Sequence, residues 1–460
     1  MRGWGSWVAA VAAAAVVLAG AASVRADAAT GPQTYGGTLT DGATWVADVP
    51  AHWNGTLILY SHGYGPLTAQ DAASPALRQD LLAEGYAMVG SSYSGPSLWA
   101  LASAVDDQFD SLRAVERIIG APRRAIAWGT SMGGLVSALE AQNPRGLIDG
   151  ALTTCGLVAG GVNLLDYQLD GEYAVSHLLS PRPIQLVDFQ DQGQADASVA
   201  ALDQVITGAQ QTPRGRARIA LAAALTNVPT WFDPSTDPPA RHDYAAQEVQ
   251  QEQTLTGPGL ARYVGARPQV ELAAGGNPSG TAGVDFAAVL ASSSHEDEVR
   301  ALYRTAGVDL AADLASLTRH ADIHADPAAV ATLTRTSAPT GHLGVPELAI
   351  HTTNDQLVPV EQENWYANRV AGAGSASLLR QAYVQTTGHC AFQPGESVAA
   401  LHAVERRIAT GRWSDRTQPG RLNAAATALH LADSTAPRYA HFVAPRLAGA
   451  LGEPGRRHRF

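Results

Sequence analysis

The sequence contains no lysine, two cysteines and three methionines, and only 16% of its 460 residues are charged. Its 31 basic side chains are therefore all arginine, and 42 acidic side chains leave a net charge of −11 at pH 7. Such a chain lacks a broad basic surface for phosphates, which excludes a nucleic-acid partner from our expectations. Two cysteines without further ligands at matching spacing argue against a zinc site. We expect neither a metal nor another cofactor.

Long hydrophobic runs are also scarce. One apolar run at residues 8–20 follows Arg2 and precedes small residues at Ala26 and Ala28. This pattern predicts a signal peptide over 1–28; the alternative is a single membrane anchor. No later stretch is long and apolar enough to span a bilayer, so we expect a secreted protein without a stable membrane anchor.

The remaining chain alternates between predicted strands and helices. "GTLILYS" (55–61) is an uninterrupted apolar run that suits a strand buried on both faces. Similar strands recur with amphipathic helices between them, which predicts an α/β fold with a mostly parallel sheet and helices on both faces. The alternation runs over 29–155, stops over 156–344 and resumes over 345–412. We interpret 156–344 as a largely helical cap inserted after the sixth core strand, and 413–460 as a C-terminal extension with little periodicity, whose end is frayed or wraps the surface.

Ser131 lies in "GTSMG", between a predicted strand and a predicted helix. This G-x-S-x-G pattern in this setting is typical of a nucleophile elbow, in which Gly129 and Gly133 leave room for a tight turn. The alternative is a glycine-rich turn between strand and helix without a catalytic role.

A serine nucleophile needs a base and a group that orients the base. Asp355 follows the strand "ELAIHT" and His389 follows the strand "QAYVQTT". Because the carboxyl ends of parallel strands meet at one edge, Ser131, Asp355 and His389 are predicted to meet there. The backbone N–H groups of Met132 and Tyr64 are the predicted oxyanion donors. His62, beside Tyr64, is expected to be structural.

The motifs "SHGYG", "GTSMGG", "NDQLVP" and "GHC" together resemble the α/β-hydrolase superfamily, and within it a group of secreted actinobacterial serine esterases, lipases and depolymerases. The resemblance covers roughly residues 34–155 and 345–412. It implies a Ser131–His389–Asp355 triad and a cap between the sixth and seventh strands. In this topology Cys155 and Cys390 would lie near the same edge, so we predict a disulfide between them; two free buried thiols are the alternative.

Three functions follow from these expectations. The first is hydrolysis of small or polymeric carboxylic esters through an acyl-enzyme, without a cofactor. The second is a peptidase or amidase of the prolyl-oligopeptidase-like type. The third is a binding protein on the same scaffold, which an intact triad disfavours.

Other polar and aromatic residues have two interpretations each. The run from His320 to Asp326 has ligand-like spacing and fits a metal site or, more simply, helix caps and solvated faces. The run from His295 to Glu298 fits a helix cap and a solvated face. Tyr93 fits a substrate contact or a structural role. Four aromatic residues of the insertion fit a pocket lining or a small core of their own: Trp231, Phe232, Tyr244 and Tyr263.

Overall fold

A nine-stranded β-sheet forms the centre of the described chain, which in this computed structural model comprises residues 31–432 and 434–456. The predicted signal peptide lies outside these residues. The strands are β1 (Gln33–Thr38), β2 (Thr44–Val49), β3 (Thr56–Ser61), β4 (Ala87–Ser91), β5 (Arg124–Thr130), β6 (Gly150–Thr154), β7 (Glu347–Asn354), β8 (Leu379–Thr387) and β9 (Tyr439–Ala440).

The strand order is β1-β2-β4-β3-β5-β6-β7-β8-β9. Strands β3 to β8 pair in parallel, whereas β1, β2 and β9 join antiparallel at the two ends. Every residue of β3, β4 and β6 is buried, as expected for strands covered on both faces. The parallel strands therefore present their carboxyl ends at one edge of the sheet.

Helices cover both faces of the sheet. They are α1 (Pro75–Ala83), α2 (Ala104–Ile119), α3 (Met132–Gln142), α14 (Glu361–Gly372) and α15 (Pro394–Thr410). Leu77 of α1 and Leu401 of α15 pack on one face with Ile58 and Ile126. Phe109 of α2 lies in the apolar core on the opposite face, with helices α3 and α14. The sheet is thus the middle of three layers, and the predicted α/β architecture is confirmed.

The chain between β6 and β7 is helical. Its α-helices are α4 (Gly161–Leu179), α5 (Gln192–Ala209), α6 (Pro213–Thr226), α7 (Tyr244–Thr254), α8 (Leu260–Tyr263), α9 (Arg267–Ala274), α10 (Phe286–Ser292), α11 (Glu296–Ala306), α12 (Leu310–His320) and α13 (Pro327–Ser337). A π-helical turn, Leu255–Gly259, connects α7 to α8. The segment has an apolar core of its own around α6, in which Ile219, Leu221 and Leu225 are buried.

A further apolar cluster joins this helical segment to the sheet. Leu164 and Val270, from α4 and α9, pack with Met132 and Leu135 at the start of α3. Trp99, from the loop before α2, belongs to the same cluster. The inserted helices therefore lie over the edge of the sheet at which Ser131 is found.

The C-terminal segment is more regular than its sequence suggests. A 3₁₀ turn (Asp415–Thr417) precedes α16 (Pro419–Ala428), which packs on α15, and β9 pairs with β8. Arg456 is buried and donates to Asp170 of α4 and to the carbonyl oxygen of Gly280. The expectation that the end is frayed or wraps the surface is thus wrong at Arg456. Its carboxylate partner lies 286 residues away in the sequence, so local sequence patterns could not predict this ion pair. The four residues that follow Arg456 lie outside the described chain.

Within the described chain, none of the helices is both long and apolar enough to cross a membrane.

Candidate active site

Ser131 occupies a sharp turn between β5 and α3. Its backbone has φ 61° and ψ −122°, a sparsely populated conformation for a residue with a side chain. A Cβ on Gly129 would overlap the carbonyl oxygen of Gly133, and a Cβ on Gly133 would overlap that of Ser61. The two glycines are therefore steric requirements of the turn, which holds the serine hydroxyl clear of the sheet.

The three predicted triad side chains lie together. His389 Nε2 is 2.8 Å from Ser131 Oγ, and His389 Nδ1 is 2.8 Å from Asp355 Oδ2. Asp355 follows β7 directly, and His389 lies two residues after β8. The two loops are tied by the hydrogen bond from the N–H of Gly388 to the carbonyl oxygen of Asn354 at 3.1 Å. The hydrogen-bonded order Ser–His–Asp is the one that general-base activation of a serine requires.

Asp355 is held as a carboxylate although it is buried. Its Oδ1 accepts hydrogen bonds from the N–H groups of Leu357 and Val358, both at 2.9 Å. Burial by itself would raise the pKa of Asp355, but the charge and hydrogen bond of His389, together with His351 and Val358, hold that pKa below its ordinary value. An ionised acid at this position fixes the tautomer of His389 and stabilises its protonated form.

A second histidine supports Asp355 from behind. His351 of β7 is fully buried, with Nδ1 3.0 Å from Glu363 Oε1 and Nε2 2.9 Å from the carbonyl oxygen of Val358. Gln381 donates to the other oxygen of Glu363. Both ring nitrogens of His351 face oxygen atoms that can accept, an arrangement that favours the protonated ring. Burial would lower the pKa of His351, but Glu363 and Asp355 raise it overall. His351 Nε2 lies 3.7 Å from Asp355 Oδ2.

The two predicted oxyanion donors belong to residues close to the serine. Met132 is the first residue of α3, so its N–H has no acceptor one turn earlier in that helix. The backbone of Gly63 passes so close that a Cβ built there would lie 3.6 Å from Ser131 Oγ. Tyr64 follows it and borders the same pocket as Ser131. The oxyanion role of the two N–H groups stays a prediction.

Cys155 and Cys390 form a disulfide, with their Cα atoms 5.4 Å apart. Cys155 directly follows β6 and is buried, while Cys390 directly follows His389. The bridge therefore attaches the histidine loop to the centre of the sheet. The predicted pairing is confirmed, and the alternative of two free thiols is wrong.

A pocket of about 140 Å³ opens at Ser131 and His389. Its wall is mainly apolar and includes Trp99, Leu157, Leu164, Val270 and Leu357. Polar groups in the wall are few: Gln168 from α4, and Arg262 and Tyr263 from α8. An apolar pocket with a few polar groups beside a reactive side chain is the usual form of a small-molecule site.

Of the four aromatic residues singled out in the insertion, Tyr263 alone borders this pocket, and its hydroxyl donates to the carbonyl oxygen of Gln356 at 2.8 Å. Trp231 faces a separate cavity, and Tyr244 pairs with His242 on the surface. The hypothesis that all four line one pocket is therefore wrong.

Two residues beside the loop that follows β3 have structural roles. Tyr93 is buried, stacks on His62 with ring centroids 4.2 Å apart, and donates to the carbonyl oxygen of His62. His62 accordingly supports the loop, as expected. In the insertion, Asp326 accepts from the N–H of Ala328 as the N-cap of α13, which accounts for its place in the polar run.

Sequence reasoning missed His351 and Arg262. A histidine inside the otherwise apolar strand "ELAIHT" is a usable signal, because a buried imidazole requires partners. Arg262 has no such signal: its relation to Ser131 exists only because the insertion folds over the sheet.

Fold and site together define the class of the protein. The sheet order, the elbow at Ser131 and the hydrogen-bonded serine, histidine and aspartate are those of the α/β-hydrolase fold, and the chain has this fold with the site arrangement of a serine hydrolase. No family model matches the chain.

The chain is similar to the o-phthalyl amidase of Xanthobacter agilis. The two are 28% identical over 420 residues, which cover 85% of this chain and 90% of the amidase. Similar solved structures include feruloyl esterase B from Aspergillus oryzae, with 14% identity over 83% of this chain and 80% of the esterase, at a TM-score of 0.38. The rice cell wall degrading esterase LipA from Xanthomonas oryzae has 15% identity over 84% of this chain and 88% of LipA, at a TM-score of 0.34.

Proposed function

We propose that the chain hydrolyses carboxylic esters and amides through an acyl-enzyme on Ser131. The observation that carries the proposal is the continuous hydrogen-bonded arrangement of Ser131, His389 and Asp355 at the mouth of an apolar pocket. A serine hydroxyl is a weak nucleophile until a neighbouring base takes its proton, and His389 Nε2 is in position to do so.

The reaction has two halves. Ser131 Oγ attacks the carbonyl carbon while its proton passes to His389 Nε2, and the N–H groups of Met132 and Tyr64 stabilise the oxyanion. The tetrahedral intermediate collapses, and His389 delivers the proton to the departing alcohol or amine. Water, deprotonated by His389, then attacks the acyl carbon and releases the acid and free Ser131. Asp355 stays ionised throughout and orients the imidazole.

Ester and amide cleavage share these steps and differ in the leaving group. The geometry of the triad serves both, since His389 can protonate either an alkoxide or an amine. The relative from Xanthobacter agilis, whose match covers 85% of this chain, is named an amidase, which favours an amide as the natural bond. We further propose that the protein is secreted: the predicted signal peptide and a disulfide that requires an oxidising compartment support this.

Labelling with a fluorophosphonate probe tests the nucleophile. Wild type should be labelled and Ser131→Ala should not. Ser137→Ala, which alters a buried serine of the same helix, is the matched control and should still be labelled. Labelling that survives in Ser131→Ala would refute the assignment.

A pair of substrates with the same acyl group distinguishes ester cleavage from amide cleavage. 4-Nitrophenyl butyrate and butyryl 4-nitroanilide share the acyl group and release comparable chromophores, so the ratio of their kcat/KM values reports the effect of the leaving group, including the higher intrinsic reactivity of the ester. An anilide that turns over faster than every ester tested would make the enzyme an amidase.

A further inference from the structure

We propose that Arg262 binds a carboxylate carried by the substrate, so that the enzyme prefers acyl compounds with a second, ionised acid group. This inference rests on the proposed hydrolase function and names the substrate class of the same pocket. It starts from the contrast between the apolar pocket wall and a single arginine at its opening.

Arg262 is the one arginine among the described residues that border the pocket, and no aspartate or glutamate borders it with Arg262. Arg262 is an exposed residue although it borders the pocket, which places it at the pocket mouth. No ion pair of Arg262 is present in the described part of the chain, whereas Arg267 of α9 is buried against Glu172. Arg262 is therefore available to an anion.

The charge of Arg262 acts on the interior of the pocket. Burial raises the pKa of the Tyr64 hydroxyl to about 12, and the positive charge of Arg262 opposes that rise. Tyr64 follows Gly63, whose backbone lies against Ser131. Arg262 and Ser131 therefore border the same pocket, Arg262 from the helical insertion and Ser131 from the edge of the sheet.

The apolar pocket wall and the guanidinium of Arg262 together indicate the chemistry of the ligand. The apolar wall of Trp99, Leu157 and Val270 suits a hydrocarbon or aromatic acyl group. A guanidinium offers paired N–H donors that match a carboxylate. A substrate with both features is a half-ester or half-amide of a dicarboxylic acid, with one acid group free and the other joined to the leaving group.

Kinetics with a matched pair of esters test the inference. The substrates are mono-4-nitrophenyl glutarate, which carries a free carboxylate, and the same compound with that carboxylate methylated. Wild type should prefer the anionic ester. In Arg262→Ala the ratio of kcat/KM values, anionic over neutral, should fall about tenfold, since hydrogen bonds to charged groups are of this strength. Arg262→Lys should retain part of the ratio, and raising the salt concentration should lower the ratio in wild type.

Arg319→Ala is the control, because Arg319 is likewise an exposed arginine in the last turn of an insertion helix and does not border the pocket. It should leave the ratio unchanged. If wild type cleaves both esters but Arg262→Ala keeps the wild-type ratio, the inference is wrong while the proposed function stands. If wild type cleaves neither ester and is not labelled by fluorophosphonate, the proposed function itself fails.

Discussion

Removal of the Cys155–Cys390 disulfide should destabilise the protein substantially. The bridge joins positions 235 residues apart, so it restricts a very long loop in the unfolded chain. The chain-entropy relation for a loop of this length gives about 5.5 kcal/mol at 25 °C. Typical domains have an unfolding free energy of about 5–15 kcal/mol, so the loss is a large part of the total.

The variant to compare is Cys155→Ala/Cys390→Ala. Its unfolding in urea, followed by circular dichroism, should show a free energy lower than that of the oxidised wild type by several kcal/mol. Wild type treated with a phosphine reductant should approach the variant, and the reductant should not affect the variant itself. A thiol count of two after reduction and none before it would verify the starting state.

Loss of the bridge should also lower kcat. Cys390 adjoins His389, and the bridge attaches that loop to β6, so the imidazole should be held less precisely against Ser131 once the bridge is gone. A double variant that unfolds at the same urea concentration as the oxidised wild type and keeps its kcat would refute the reasoning.

Two further predictions concern buried charges. His351→Gln removes the buried imidazole that faces Glu363, which should cost roughly 3–5 kcal/mol of unfolding free energy if the two form an ion pair. Glu363→Gln in the same chain should restore part of that loss. Urea unfolding of the single and double variants tests this, and a single variant as stable as wild type would contradict it. Glu140 is fully buried, its carboxylate oxygens have no hydrogen-bond partner among the described residues, and burial raises its pKa well above the ordinary value. The folded state therefore keeps a proton that the unfolded state loses above about pH 4.3, so this group makes stability fall with rising pH by up to about 1.4 kcal/mol per unit. Relative to wild type, Glu140→Gln should become more stable as pH rises, and parallel stability curves would rule this out.

Local pattern predicted much of the core. The apolar run that ends at Ser61 forms β3. This segment is predictable because a strand buried on both faces needs apolar side chains at nearly every position, whatever its neighbours are. The elbow was predictable for a similar reason, since the steric demand on Gly129 and Gly133 is met within five residues.

Contacts between residues far apart in the chain could not be predicted from local sequence patterns. The C-terminal helix α16 buries Leu422 and Ala426 against α15, although its segment shows little periodicity. The contact of Arg456 with Asp170 and the position of Arg262 at the pocket depend on how the insertion lies over the sheet. These contacts join residues far apart in the chain, and single residues carry no sign of their distant partners.

The sequence by itself determined which side chains could carry out acyl transfer and in what order they follow the strands, because that chemistry requires a serine in a strained turn and an acid and a histidine after later strands. Only the tertiary structure decided that His389 lies 2.8 Å from Ser131, that a second histidine supports Asp355, and that an arginine stands at the pocket mouth. The reason is that distances between loops are set by the packing of whole layers, and the burial and charge around a group are properties of everything packed against it.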